Sequence, residues 1–406
     1  MIKYFSAHLL GYLFILLFFT SCAISDLKDI SKNIKKDSNI AKIDITLNSQ
    51  TLQSNSNIIV FLTRKWASNY DIFNYNTVKK NNKISFYVEP DAYRIFAFED
   101  ANNDTKYTKG EYIASSEDLY ILSKDEFNVE LNFRPYKPTD DFDKDSFSLE
   151  LDNSSAHLGD IVPLNSKIYS RKNSSKGLVK PFEFVKEVPY GIFLLKKYDL
   201  NKKPILFVHG ISGSPDDFSY LIKHIDDSKY QVFVAYYPSG MSADIISNHL
   251  ANNVNQLYRQ FRFKKISIVS HSLGGILSRD MLNIFNENNI DIVDKFITIS
   301  APFKGNIMAG LGVEHSPLVI PIWKDLDPSS KFLKNLFRTR LDKQTKAYLF
   351  FSIKGLLSSD GTVSIVSQIE YKAQDEAVEV RGFNESHMSI LESKRVSNML
   401  NNYLNE

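Results

Sequence analysis

The stretch KKISIVSHSLGG, Lys264 to Gly275, decides the fold. Ile266, Ile268 and Val269 form a short apolar run that reads as a buried strand. Ser270-His271-Ser272-Leu273-Gly274-Gly275 then turns sharply, and Ile276, Leu277, Met281, Ile284 and Phe285 follow at helical spacing. Strand, tight turn and helix, with a serine at the tip, is the context of a nucleophile elbow. Ser270 stands where the G-x-S-x-G pattern has its first glycine, and Gly274 keeps the second. A hydroxyl is a weak nucleophile and needs a base to take its proton. The strained tip exposes the Ser272 oxygen and leaves the Leu273 N–H, at the helix start, aimed at a developing oxyanion.

The flanking segments repeat the same alternation. Tyr190 to Lys196 reads as a lead-in strand, and Ile205 to Val208 is a buried run ending in His209-Gly210-Ile211-Ser212-Gly213. Ser214-Pro215-Asp216-Asp217 offers a cap, a proline and two acids, which is a helix start. Tyr230 to Tyr237 alternates as a strand, and Ile246, Leu250, Val254, Leu257 and Phe261 mark a helix. Phe296 to Ile299 is the strand after the elbow and ends in SAPFKG. Strands alternating with helices predict an α/β class with a doubly wound, mostly parallel sheet.

FVHGISGSPDDF, YYPSG, SHSLGG and TISAPFKG together resemble the lipase/esterase branch of the α/β-hydrolase superfamily, over about Tyr190 to Glu406. The resemblance implies a Ser–Asp–His acyl-ester hydrolase working through an acyl-enzyme. A strand ending in His-Gly is where that fold places its second oxyanion donor, here the N–H of Ile211. His209 reads as a structural residue of this loop, because the fold has its base last in chain order. Of eight histidines only His315 and His387 follow Ser272. His387 lies in NESHMSIL, after the alternating run Ala377 to Phe383, where the base belongs. Ser358-Ser359-Asp360-Gly361-Thr362-Val363, after the strand Tyr348 to Ile353, resembles the family's acid loop and assigns the acid to Asp360. Asp325 and Asp327 are the alternatives, with Asp327-Pro328-Ser329 also reading as a helix entry. The insertion from Phe303 to Thr345 reads as a lid or cap. Its Leu311, Val313, Leu318, Val319, Ile320, Ile322 and Trp323 either wall an acyl chain or pack internally. An acyltransferase, or an inactive surface-binding lipoprotein, would carry the same fold.

The chain's 406 residues allow two domains and an export signal, and 43% hydrophobic with 24% charged residues is an ordinary globular balance. A formal charge of +2 gives no field suited to nucleic acid. The single cysteine, Cys22, excludes an intramolecular disulfide. It closes a basic start and an apolar run, Leu9 to Phe19, too short to span a bilayer and fitting a signal peptide over residues 1–22. Phe19-Thr20-Ser21-Cys22 resembles a bacterial lipobox. That resemblance implies a lipid on Cys22 and an exported, membrane-anchored lipoprotein at the outer membrane or cell surface of a bacterium. Residues 23–39 are polar and lysine-rich and read as a tether.

Residues 40–134 read as a small all-β sandwich: Ile43, Ile45 and Leu47 alternate, Ile58 to Leu62 is a buried run, and Val129, Leu131 and Phe133 close the unit. KISFYVEPDAYRIFAFEDANNDTKYTKGE is similar to carboxypeptidase-regulatory-like and immunoglobulin-like modules. Within it Asp100, Asn102, Asp104 and Glu111 have the spacing of a calcium loop, with Thr105 where the turn glycine belongs. The other reading is a polar hairpin turn. No further cofactor is expected. Residues 135–180 read as a connector and 181–406 as the catalytic domain.

Overall fold

The structure is a computed structural model. It describes residues 24–37, 39–48, 52, 56–66, 69–79, 84–102, 107, 110–122, 126–135, 137, 157–316, 318–355 and 358–406. The signal-peptide and lipidation readings lie outside these residues. The described chain forms two compact units, one within 38–156 together with 287–290 and one built from 24–37, 157–286 and 291–406. Among the described residues no helix is long and apolar enough to cross a membrane.

The first unit is a β-sandwich. A three-stranded sheet holds β1 (Ala41–Asn48) between β4 (Ile84–Val88) and β8 (Glu126–Asn132); a larger sheet runs β3 (Asn69–Lys79), β2 (Asn57–Trp66), β5 (Ala92–Asp100), β6 (Tyr112–Ser115), β9 (Arg134–Pro135), with β7 (Leu119–Tyr120) paired to β5. Alternation along each strand points Ile43, Ile45 and Leu47 of β1 at Ile58, Val60 and Leu62 of β2, and these form one core. Ile59, Phe61, Phe96 and Phe98 occupy the other face of the larger sheet. β1 runs parallel to β8, so the smaller sheet is mixed.

The second unit is an eight-stranded sheet in the order β10 (His157–Ile161), β11 (Gly191–Leu194), β13 (Tyr230–Tyr236), β12 (Lys203–Val208), β14 (Ile266–His271), β15 (Val293–Ile299), β16 (Lys346–Ser352), β17 (Ala377–Phe383). Only β11 and β13 pair antiparallel. The expected α/β class with a mostly parallel sheet and a separate β-sandwich is observed. The elbow strand β14 is flanked by β12 and β15. All six of its residues are buried, which is why it reads as a continuous run rather than an alternating one.

Two segments differ from expectation. Residues 23–39 do not form a tether throughout: Ile24–Asp37 is a helix, α1, packed on a short helix at Pro181–Glu187. Ile24, Leu27, Ile30 and Ile34 recur every three to four residues, a stripe hidden among lysines and asparagines. Ile30 is buried, Asn33 Nδ2 donates to Glu183 Oε1 at 3.1 Å, and Glu183 N–H donates to Asn33 Oδ1 at 3.3 Å. Lys36 lies over the Phe182 ring. The second unit also takes in the last part of the expected connector. β10 adds an edge strand parallel to β11, and a helix at Arg171–Val179 follows. β10 is broken by a bulge between Leu158 and Ile161, with Gly159 at φ 80°, so it carries no readable period.

Between β15 and β16, helices at Ile307–His315, Pro321–Leu326 and Lys331–Lys334 make the cap. Ile320 and Ile322 are core, whereas Leu311, Val313, Leu318, Val319 and Trp323 are half-buried. The helix after the elbow, α2 (Leu273–Glu287), grips this segment. Arg279 donates to Thr339 O, Asn283 Nδ2 donates to Leu336 O at 2.7 Å, and Arg338 pairs with Asp280.

Replacing Ile30 by aspartate places an unpaired charge in a buried site, which costs several kcal/mol, about the whole docking energy of one short helix. Ile30→Asp should release α1, so that limited trypsin cuts at Lys32, Lys35 and Lys36 roughly tenfold faster while the core stays resistant. Unchanged protection of those lysines would show that the helix is held by something else.

Candidate active site

Ser272 sits at the end of β14 with φ 53°, a left-handed conformation unusual for a residue with a side chain. Three contacts impose it. Ser272 N–H donates to Ile299 O at 2.9 Å, and Gly275 N–H donates to Ser272 O at 2.9 Å. Gly274 lies so close to β12 that a Cβ there would stand 2.3 Å from Val208 O and 2.6 Å from His209 O. No other residue fits at Gly274. At the first position of the motif, Ser270 is fully buried and its hydroxyl reaches Ile297 O at 3.5 Å, so a small polar side chain is accommodated.

The structure brings Ser272, His387 and Asp360 into one line. His387 Nε2 is 2.9 Å from Ser272 Oγ, and His387 Nδ1 is 2.7 Å from Asp360 Oδ2. A carboxylate only accepts, so Nδ1 carries a proton and Nε2 faces the serine as acceptor. His387 N–H also donates to Asp360 O at 3.1 Å, which fixes the loop after β17 to the loop after β16.

Asp360 is almost wholly buried, and burial alone would raise its carboxyl. The hydrogen bond and charge of His387, with the N–H groups of Val363 and Thr362, outweigh that and hold it below the ordinary carboxylate range. Oδ1 accepts from Val363 N–H at 2.7 Å and Thr362 N–H at 2.9 Å. Oδ2 accepts from Ser352 Oγ at 2.8 Å and Gln368 Nε2 at 3.2 Å, besides His387. Ser300 Oγ is 2.6 Å from Ser352 Oγ, extending the chain. Sequence reasoning did not single out Ser352, Gln368 or Ser300. Their pairing spans two strand ends and a turn of helix, and no local pattern marks it.

The alternative acids do other work. Asp325 Oδ2 accepts from Ala243 N–H at 2.7 Å, and Asp327 Oδ1 closes a turn with Ser329 N–H at 2.7 Å. His209 is a structural residue. Its Nδ1 donates to Gly210 O at 2.7 Å, its ring stacks on Tyr237 at 4.1 Å, and its C=O accepts from the Tyr237 hydroxyl. Gly210 brings the oxyanion loop against the elbow: a Cβ there would lie 3.0 Å from Ser272 Cβ. Among the described residues neither the Ile211 nor the Leu273 N–H has an acceptor. His315 lies at the exposed end of its helix beside Glu314.

In the β-sandwich, Asp100 ends β5 and Glu111 accepts from Ala101 N–H at 2.9 Å. Asp104 lies outside the described residues. Among those described, no cluster of three or more His, Cys, Asp or Glu is placed to hold a metal.

Residues 200–320, which hold the elbow and the oxyanion loop, match the family described as "putative serine esterase (DUF676)". That match points to the lipase and esterase branch of the α/β-hydrolase superfamily. The chain is similar to lysosomal thioesterase PPT2-B of Xenopus laevis, 30% identical over 132 residues, and spans 42% of that relative's length and 29% of its own. Among solved structures it is similar to the mature form of the Bacillus licheniformis lipase BlEst2, at 20% identity and a TM-score of 0.41, covering 52% of this chain and 94% of that one. A second is the lin2722 product of Listeria innocua, at 13% identity and a TM-score of 0.40, covering 50% and 94%.

Three histidines with buried rings in the second unit set an acid limit on its stability. Burial pushes His209 and His249 each down to about 4; burial and the neighbouring His387 push His271 down to about 3. Below the ordinary value of 6.5 the unfolded chain therefore binds protons that the folded chain refuses, and stability falls as pH drops from 6.5 toward those values. Each histidine contributes a slope of up to about 1.4 kcal/mol per pH unit there and none above it. The lowered Asp360 adds a further loss only at still more acid pH. The urea midpoint should hold steady above pH 7, fall between pH 6 and 4, and fall less steeply in His271→Gln. A flat profile to pH 4 would contradict the burial argument.

Proposed function

We propose that this protein is a serine acyl-ester hydrolase in which Ser272 is the nucleophile, His387 the general base and Asp360 the residue that orients it. The single observation that carries the reading is the unbroken line Ser272 Oγ, His387 Nε2, His387 Nδ1, Asp360 Oδ2, at 2.9 and 2.7 Å. Ser272 Oγ attacks the ester carbonyl carbon while its proton passes to His387 Nε2. The negative charge on the carbonyl oxygen is met by the Ile211 and Leu273 N–H groups. The tetrahedral intermediate collapses, the C–O bond to the alcohol breaks, and His387 returns the proton to the leaving alkoxide. Water then repeats the sequence on the acyl-enzyme and releases the acid. The reaction as read requires no cofactor. A thioester, the class named for the Xenopus relative, would enter the same steps with a thiolate as leaving group.

An inactive binding protein would have no need of a strained serine and an ionised, five-donor aspartate buried beside it. The surroundings favour an apolar acyl group. Met388 directly follows the base and is 51% exposed; Val366, in the short helix after the acid loop, is 64% exposed; Ile307, at the start of the first cap helix, is 69% exposed. Asn306 Nδ2 donates to Thr362 O at 3.1 Å, which sets that cap helix beside the acid loop. We read the substrate as a lipid or other acyl ester of moderate chain length, met at a membrane to which Cys22 tethers the enzyme.

Ser272→Ala, His387→Ala and Asp360→Ala should each lower turnover on the order of 10⁴-fold on soluble esters. In the wild type, turnover efficiency should rise with acyl length, since each buried methylene contributes roughly 0.8 kcal/mol. Full activity in Ser272→Ala would end the mechanism, and a steep decline from acetyl onward would leave a short-chain esterase. Independently, Cys22→Ser should abolish incorporation of labelled fatty acid and move the protein out of the membrane fraction; equal labelling would refute the anchor.

A further inference from the structure

His271 is the last residue of the nucleophile's strand, next to Ser272, and has no part in the proposed proton path, yet it touches both loops that complete the site. It is 2% exposed. Its Nε2 is 2.9 Å from the main-chain oxygen of His387, and the two rings lie 4.7 Å apart at 45°. A carbonyl oxygen only accepts, so His271 carries its proton on Nε2. Its other edge faces the oxyanion loop, since a Cβ on Gly210 would stand 3.3 Å from His271 Nδ1. Burial and the adjacent His387 ring keep His271 neutral at any pH where a histidine base works, so it remains a fixed single donor.

The base needs that donor. His387 follows β17 on a loop, and its backbone is held at both ends: the N–H by Asp360 O at 3.1 Å and the C=O by His271. With one tie the peptide could swing about the other, carrying the imidazole off the line between Asp360 and Ser272. A displacement of about 1 Å in such a group costs roughly 100-fold in rate. A neutral donor suits the place better than a cation. A charge next to His387 would oppose the imidazolium that forms when the serine gives up its proton.

We propose that His271 is a positioning residue of the reaction: its Nε2–H holds the His387 loop by the main-chain oxygen and so keeps the imidazole in line with Ser272. The proposal rests on the reading of Ser272, His387 and Asp360 as the triad. The alternative is that His271 only fills space.

Two variants separate these. His271→Phe fills the volume without a donor, and His271→Gln offers a neutral N–H near the Nε2 position. His271→Phe should lose about 100-fold in kcat with KM within about twofold, while His271→Gln should stay within about fivefold of wild type. A folded His271→Phe with near wild-type kcat overturns the proposal, and so does a Gln variant as impaired as the Phe variant. A measurement on the unmodified chain covers the case in which a variant fails to fold. The ¹⁵N shifts of His271 should report the neutral Nε2–H tautomer, and an Nδ1–H tautomer would overturn the proposal. His387→Ala in the same assay tests the triad itself. Loss on the order of 10⁴ beside an unimpaired His271→Phe refutes the positioning role alone, whereas an active His387→Ala refutes the triad reading.

Discussion

One backbone torsion organises the catalytic unit: Ser272 held at φ 53° where β14 becomes α2. A left-handed serine costs on the order of 1–3 kcal/mol and persists only where its surroundings over-determine it. Here they do. The N–H is taken by Ile299 on one neighbouring strand, and the next turn presses Gly274 onto Val208 and His209 of the other. The strain is thus held by the three central strands of the sheet. The same contacts that pin the serine also fix the oxyanion loop, because Gly210 continues from the strand on which Gly274 rests. Nucleophile and oxyanion donors are therefore set by one packing event, and each limits the movement of the other.

The acid and base depend on a second arrangement, at the far end of the sheet. A buried carboxylate is tolerable only when its lone pairs are filled. Two backbone N–H groups, one serine, one glutamine and the imidazole do this for Asp360. Gln368 does more than donate. Its Oε1 accepts from Ser352 N–H at 2.8 Å, and its Nε2 also reaches the carbonyls of Ser352 and Val363. One side chain thus closes the end of β16 and the acid loop together. An apolar residue at Gln368 would take a partner from Ser352 N–H, from the carbonyls of Ser352 and Val363 and from Asp360 Oδ2 in a dry site, which ties the amide to an ionised Asp360.

How much of this was legible follows from the range of each interaction. The elbow, the His-Gly loop and the loops carrying Asp360 and His387 each follow an apolar or alternating run, so strand and turn mark them within a dozen positions. The partners Ser352, Gln368 and His271 leave no such mark. His271 and the oxygen it holds are 116 residues apart, and nothing local says that the unnamed position of a motif faces a distant peptide. Helix α1 escaped for a different reason. Its polar and lysine-rich composition suggested a solvated segment, while its four apolar residues line up as a stripe only when read at helical spacing. β10 escaped because a bulge destroys the period by which a strand is recognised.

The histidines make the electrostatic logic explicit. Three imidazoles, His209, His271 and His387, lie around one serine, and only the last is placed to take its proton. Burial decides this. His209 and His271 are held neutral by the absence of water, and each spends its single N–H on a carbonyl oxygen, Gly210 O for one and His387 O for the other. The Asp360 carboxylate, held below the ordinary range, is aimed at His387 alone among the three. A neutral dipole can orient a loop without opposing the charge that develops next to it, whereas a lysine or arginine in either place would raise the energy of the imidazolium. The charge that forms during reaction is thereby confined to the one ring with a counter-ion, and the other two serve as rigid, uncharged struts.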